Sequence, residues 1–319
     1  MLLHAGMLLV GGLLLYFGAE WLIRGSVGLA RAMGVRPLVI GLTVVAYGTS
    51  APELVVSAVA AVEGKSAIAL GNVVGSNIAN IGLILGLSAA ISPPRVDPVL
   101  VRREVPVLLA SAILVPVVLY DGVISRADGV GLLAFAAAFT WLTLRTAKEV
   151  PEADPLRKEA RAEVAAEAAS GKPRALVLVA LGGLAGLVVG GKFFVDAASA
   201  VALQLGMSER IVGLTIVAVG TSLPELAASI VAAMRGHSSI AIGNIIGSNI
   251  FNVLLILGGA SLISPIEGRL STIAIDAALL LGMTAVVAIM MFGERRISRA
   301  EGTFLVVCYA GFIAAAVLA

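Results

Sequence analysis

Charge, sulfur and imidazole are scarce in this chain. Only 13% of its 319 residues are charged, histidine occurs only at His4 and His237, and the one cysteine is Cys308. A lone cysteine excludes an internal disulfide, and without a Cys/His cluster at ligand spacing there is nothing to hold zinc. Aromatic residues make up 5% and do not interleave with the 22 basic residues, which 20 acidic ones nearly balance to a net charge of +2. Nucleic acid is therefore excluded as a partner. What the chain does have is apolar bulk: 59% hydrophobic residues and a mean hydropathy of +1.05, far from a soluble average. The lipid bilayer is its solvent. No basic region precedes the first apolar run and no small-residue cleavage site follows a short core. The start of the chain accordingly reads as a retained spanning helix and not as a signal peptide.

Stretches apolar enough to cross roughly 30 Å of hydrocarbon as helices fall at about 5–32, 37–62, 66–91, 98–120, 126–147, 173–204, 210–234, 239–263, 270–292 and 300–319. The expected fold is thus an all-α membrane protein with ten transmembrane helices. Gly41 to Pro93 recurs without a gap as Gly213 to Pro265, with 33 of 53 positions identical at a constant offset of 172. An odd number of spans per copy makes the second enter the bilayer from the opposite side, so the ten form two inverted five-helix repeats, an arrangement typical of carriers. The division is 1–147 for the first repeat, 148–172 for a linker and 173–319 for the second.

With both termini outside, inner loops carry 16 of the 22 basic residues and outer loops only Lys65, Arg126, Arg210 and Arg269, the remaining two lying in helices. The expectation is a multi-pass protein of the inner (plasma) membrane, with the polar segment Lys148 to Lys172 as a solvated cytoplasmic helix. Glu20 with Arg24 and Lys192 with Asp196, each four apart, are expected to form intrahelical ion pairs.

Each repeat interrupts its apolar helix with the same polar run, Gly48-Thr49-Ser50-Ala51-Pro52-Glu53 and Gly220-Thr221-Ser222-Leu223-Pro224-Glu225. Proline has no N–H and crowds the preceding turn, so the helix should break there and leave carbonyls free. Ser50-x-x-Glu53 also fits a capping box for the restarting half. On the first half Ala46, Thr49 and Glu53 share a face. The next helix adds Asn72, Ser76 and Asn80, mirrored by Asn244, Ser248 and Asn252. Glycines 71, 75, 243 and 247 give small-xxx-small patterns for close helix approach. Asn72, Asn77, Asn244 and Asn249 read as interhelical hydrogen-bonding groups; Ser76, Asn80, Ser248 and Asn252 read as ligands. A glutamate that only caps a helix would account for one such motif. Two carboxylates at bilayer depth without a basic partner call for a cation or a proton. Carboxylates, carbonyls and hydroxyls without sulfur or imidazole make a hard oxygen cage, suited to Ca²⁺ or Na⁺, and a dry site disfavours Mg²⁺, which keeps its waters. A site charge of −2 is neutralised by one Ca²⁺, or by monovalent ions or protons that compete for the same ligands.

GTSAPE with GNVVGSNIAN, and GTSLPE with GNIIGSNIFN, resemble the two alpha-repeats of the calcium/cation antiporter superfamily, specifically its prokaryotic sodium/calcium exchangers. The resemblance implies antiport of one Ca²⁺ for about three Na⁺ by alternating access at a midplane site, with no enzymatic activity and no cofactor beyond the transported ions. It places calcium on Glu53, Glu225 and the backbone oxygens of Thr49 and Thr221. It places sodium on Ala46, Ser50 and Ser76 with one glutamate, and on Ala218, Ser222 and Ser248 with the other. Function as a monomer is expected. Where some relatives, including potassium-dependent ones, carry Asp, this chain has Asn252, which argues against potassium co-transport. Calcium/proton exchange within the superfamily is the alternative mechanism. A channel, from another class, would need weak multi-site binding that paired carboxylates oppose. A hydrolase would need a base for Ser50 or Ser222, and within the repeat cores Lys65 and His237 lie only at the links.

Overall fold

The computed structural model describes residues 2–94, 96–98, 100–147, 172–207, 212, 215–216, 218–293 and 296–318. All of the expected linker except Lys172 lies outside them, as do Arg95, Arg210 and Arg295 from the loop-charge count.

The described chain is almost wholly helical. Its long helices are α1 (Leu2–Met33), α2 (Pro37–Thr49), α3 (Ala51–Val62), α4 (Ser66–Ile91), α5 (Val105–Val118), α6 (Arg126–Arg145), α7 (Pro173–Gln204), α8 (Leu223–Met234), α9 (Ser238–Ile263), α10 (Ala274–Gly293) and α11 (Arg299–Leu318). Seven of these, α1, α4, α6, α7, α9, α10 and α11, are long and apolar enough to span a bilayer, and α2 with α3, bent by 45°, makes an eighth. Besides the bent α2–α3 pair, two of the ten expected spans do not reach spanning length as one helix among the described residues. The 98–120 stretch opens with a π-helical turn, Leu100–Glu104, ahead of α5, whose Val105 start is followed by Pro106 and whose interior holds Pro116. The 210–234 stretch is interrupted at Thr221 and Ser222, and several residues before Ala218 lie outside the described set. In both cases proline removes the backbone donors that a continuous helix needs.

Two helices start the same way. Asp128 N donates to Ser125 Oγ at 3.2 Å and Ser125 N to Asp128 Oδ2 at 2.8 Å, while Ser298 and Glu301 repeat the exchange at 3.2 and 2.7 Å ahead of α11. These capping boxes satisfy donors that would otherwise be orphaned at a helix end. π-helical turns Asn80–Leu85 and Asn252–Leu257 lie inside α4 and α9 at the 172-residue offset. Such turns are rare and gather at functional sites.

Glycine sets how the helices meet. A Cβ at Gly18 would stand 2.8 Å from Gly183 O, and one at Gly190 would stand 2.9 Å from Gly11 O, so α1 and α7 touch backbone to backbone. Gly11 and Gly183, like Gly18 and Gly190, are 172 apart, so each glycine meets the counterpart of the other. That reciprocity is the mark of a self-complementary, two-fold contact. Around this pair α2, α8 and α9 close one apolar cluster, and α4, α5, α6, α9, α10 and α11 close a larger one. The central helix is α9, whose spanning window is 94% buried against 72% for its counterpart α4.

Loops meet in sets. A two-stranded ribbon pairs β1 (Val123–Ile124) with β2 (Ile266–Glu267), and Ser66 Oγ accepts from Glu267 N at 3.1 Å. Elsewhere Arg36 is ion-paired with Asp97, and Ile297 N donates to Pro94 O at 3.2 Å.

Candidate functional site

The bend at Ser50 is where the sequence places it. Ser50 leaves the helical region at φ −81° and ψ 7°, and Ser222 adopts φ −89° and ψ 7°. The expected capping boxes do not form, because neither serine side chain caps its own helix. Both reach across the molecule instead. Ser50 Oγ donates to Glu225 Oε1 at 2.9 Å, and Ser222 Oγ donates to Glu53 Oε1 at 3.0 Å. Each hydroxyl proton thus goes to a charged, buried carboxylate, a charge-assisted hydrogen bond stronger than one between neutral groups.

Glu53 and Glu225 are each only 1% exposed. No Lys, Arg or His forms an ion pair with either among the described residues. Each therefore has one oxygen bonded to a serine and the other, Oε2, without a donor. Other buried polar atoms of the repeat cores are also without partners: Ser76 Oγ, Thr221 Oγ1, the donor Nδ2 and the acceptor Oδ1 of Asn80, and the acceptors Oδ1 of Asn249 and Asn252. Thr221 lies beside Glu53.

Of the sequence-predicted residues, the structure joins Ser50, Ser248 and Glu225 directly, Ser50 Oγ lying 3.0 Å from Ser248 Oγ. This differs from the implied grouping of Ser50 with Ser76: the hydroxyl cluster is mixed between the halves, since the inverted second half brings α9, not α4, against the bend at Ser50. Thr49 is fully buried and bonds Val45 O and Asn244 Oδ1, both at 3.1 Å. Ala46 packs on α9, where a Cβ at Gly247 would come within 2.8 Å of its methyl group. Ala218 opens the short helical turn Ala218–Gly220.

The supporting amides largely follow expectation. Asn72 Nδ2 donates to Glu53 O at 3.0 Å and to Ser57 Oγ at 2.9 Å, and Asn244 Nδ2 donates to Ser229 Oγ at 3.0 Å. Asn77 bonds across to α9. Asn249 instead donates back to Ile245 O of its own helix at 2.7 Å. Ser57 and Ser229 were missed by sequence reasoning, although each stands four residues after its glutamate in both copies. The expected Glu20–Arg24 pair is replaced by Glu20 with Arg235, at 2.7 and 3.1 Å, because packing of α1 on α8 brings a planar guanidinium onto both carboxylate oxygens. Lys192 and Asp196 form no ion pair among the described residues.

Two carboxylates buried among hydroxyl and amide oxygens within a bundle of spanning helices are the hardware of a membrane cation transporter. The chain matches the sodium/calcium exchanger protein family over residues 3–145 and 175–318. It is 40% identical to the inner membrane protein YrbG of Escherichia coli over 84% of this chain and 82% of that one. It is 31% identical to the sodium/calcium exchanger MaX1 of Methanosarcina acetivorans over 96% of each. A solved structure of the sodium-calcium exchanger NCX_Mj, soaked with Na⁺ and Ca²⁺, superposes with a TM-score of 0.82 at 35% identity, covering 98% of each chain. The chain belongs to the sodium/calcium exchanger family, within the calcium/cation antiporter superfamily.

Proposed function

We propose that this protein is a secondary antiporter that exchanges one Ca²⁺ for about three Na⁺ by alternating access at a midplane site. The observation that carries this reading is the reciprocal crossing of Ser50 to Glu225 and Ser222 to Glu53, which leaves one bare oxygen on each buried carboxylate. Calcium would take those two oxygens and backbone oxygens of Thr49 and Thr221. Sodium would take hydroxyl and carbonyl oxygens flanking them: Ser50 and Ser248 with Ala46, whose carbonyl accepts from Ser50 N at 3.1 Å, beside Glu225, and Ser222 and Ser76 with Ala218 beside Glu53. Asn80 and Asn252 complete the cage. Calcium at the carboxylates and sodium on either side compete for the same charge, which couples the two fluxes.

Ten spans in two inverted halves, 1–147 and 173–319, fit this scheme, with both termini outside the inner membrane and the monomer as the working unit. The reciprocal Gly11–Gly190 and Gly18–Gly183 contacts support it. So do the loop contacts, since 66, 122–124 and 266–268 meet as outer loops should, and 36, 94, 97 and 297 as inner ones should. The halves are not equally packed. Ile240 is 0% exposed but its counterpart Ile68 is 52% exposed, and Val231 is 6% exposed against 49% for Val59. These apolar positions are therefore covered on α8 and α9 and exposed on α3 and α4, while both glutamates are buried, a difference between the halves of the kind alternating access requires.

The test is calcium-45 uptake into sealed proteoliposomes under an outward sodium gradient and, separately, an outward proton gradient of equal size. Sodium-driven uptake is expected. Uptake driven by protons alone would make the protein a calcium/proton antiporter, and conductance without coupling would make it a channel.

A further inference from the structure

Asn77 and Asn252 face each other between α4 and α9, both at most 2% exposed. Asn252 Nδ2 donates to Asn77 Oδ1 at 3.0 Å. A carboxamide can turn about its last bond and exchange its donor arm for its acceptor arm, so its orientation decides whether it offers a cation an oxygen or an N–H. The surroundings remove that choice. Asn77 Nδ2 donates to the backbone carbonyl of Asn249 at 3.2 Å, and a carbonyl oxygen can only accept. Asn77 must then turn Oδ1 towards Asn252, and Asn252 must answer with Nδ2. Its Oδ1 is left as a buried acceptor without a donor.

The symmetry-related pair is not set in this way. Asn249, the counterpart of Asn77, spends its donor on Ile245 O, and neither arm of Asn80 has a partner. One amide of the cluster is held in a defined polarity and the other is not.

We propose that Asn77 is the positioning residue for Asn252: relaying the fixed polarity of the Asn249 carbonyl, it holds the Asn252 amide with its oxygen, the cation-ligating arm, turned to the ions. This rests on the reading that Asn252 belongs to the ion site. Asn77 touches no ion itself and acts only through its neighbour. Its donor is committed to a main-chain carbonyl that no side-chain substitution removes, so the orientation persists through any change elsewhere that leaves α4 against α9.

The test is a double-mutant cycle read as apparent calcium affinity of sodium-driven uptake in proteoliposomes. Asn252→Ala should weaken affinity. Asn77→Ala should weaken it about fivefold, the worth of one net hydrogen bond, with maximal rate unchanged. Added to Asn252→Ala it should cost nothing more, because its effect runs through the side chain already removed. A general packing defect would instead lower thermal stability and add to the loss in the double variant. Should Asn77→Ala fail to fold, Asn77→Ser keeps a group that both donates and accepts, and it is measured against Asn252→Ala in the same cycle. Wild-type affinity for the folded Asn77 variant, or losses that add, overturns the positioning role. Wild-type affinity for Asn252→Ala overturns instead the assignment of Asn252 to the ion site.

Discussion

Glu53 and Glu225 could be kept in a membrane interior by basic partners, by neutralisation or by cargo. The structure offers each carboxylate a serine hydroxyl from the opposite half and no ion pair among the described residues. One neutral donor per carboxylate offsets only part of the desolvation that burial imposes. Glutamine at either position keeps an acceptor for the serine and the size of the side chain but removes the charge that a divalent ion requires. Glu53→Gln and Glu225→Gln should each abolish calcium uptake while the protein stays folded and monodisperse in detergent; wild-type exchange by either variant would remove that glutamate from the calcium site. The crossing of the serines also explains why a capping box written in the sequence goes unused. Ser-x-x-Glu reads as local chemistry, whereas the stronger acceptor for Ser50 comes from 175 positions away.

At the scale of the helix, the same small-residue pattern has two outcomes. Gly243 and Gly247 are buried where α9 crosses α2, and a Cβ at Gly247 would lie 2.7 Å from Leu42 O. Gly71 is exposed, and a Cβ there meets no described atom within 4 Å. Gly247→Val should therefore destabilise the protein as it stands, by several kcal/mol as overpacking against backbone does, seen as a lower thermal midpoint in detergent. Gly71→Val should leave that midpoint unchanged. If the cycle carries the second half onto α4 as α2 now sits on α9, the added side chain should still slow exchange. Normal turnover by the Gly71 variant would exclude such a closure. A separate check concerns helix starts: Ser125→Ala removes a cap worth about 1 kcal/mol and should lower stability by that much without altering ion affinity.

For the molecule as a whole, a three-for-one exchange moves one net charge per cycle, worth roughly 2.3 kcal/mol per 100 mV if it crosses the full field. Sodium-driven calcium uptake should accordingly respond to potassium–valinomycin potentials, and indifference to voltage would rule out that stoichiometry. The repeat, the oxygen-rich polar runs, the proline breaks and the family all follow from the sequence by itself, because each is a matter of residue type at short or constant spacing. Tertiary structure alone decided that Ser50 serves Glu225, that Glu20 pairs with Arg235 in place of Arg24, and that Asn77 orients Asn252. It also decided that the half around α9 is packed tight while the half around α4 is not. Two copies that share 33 of 53 positions carry the same local motif, so neither by itself says which half is packed more tightly. That difference resides in contacts between the halves, where packing brings side chains more than a hundred residues apart within hydrogen-bonding distance and where each buried carboxylate keeps one oxygen without a donor.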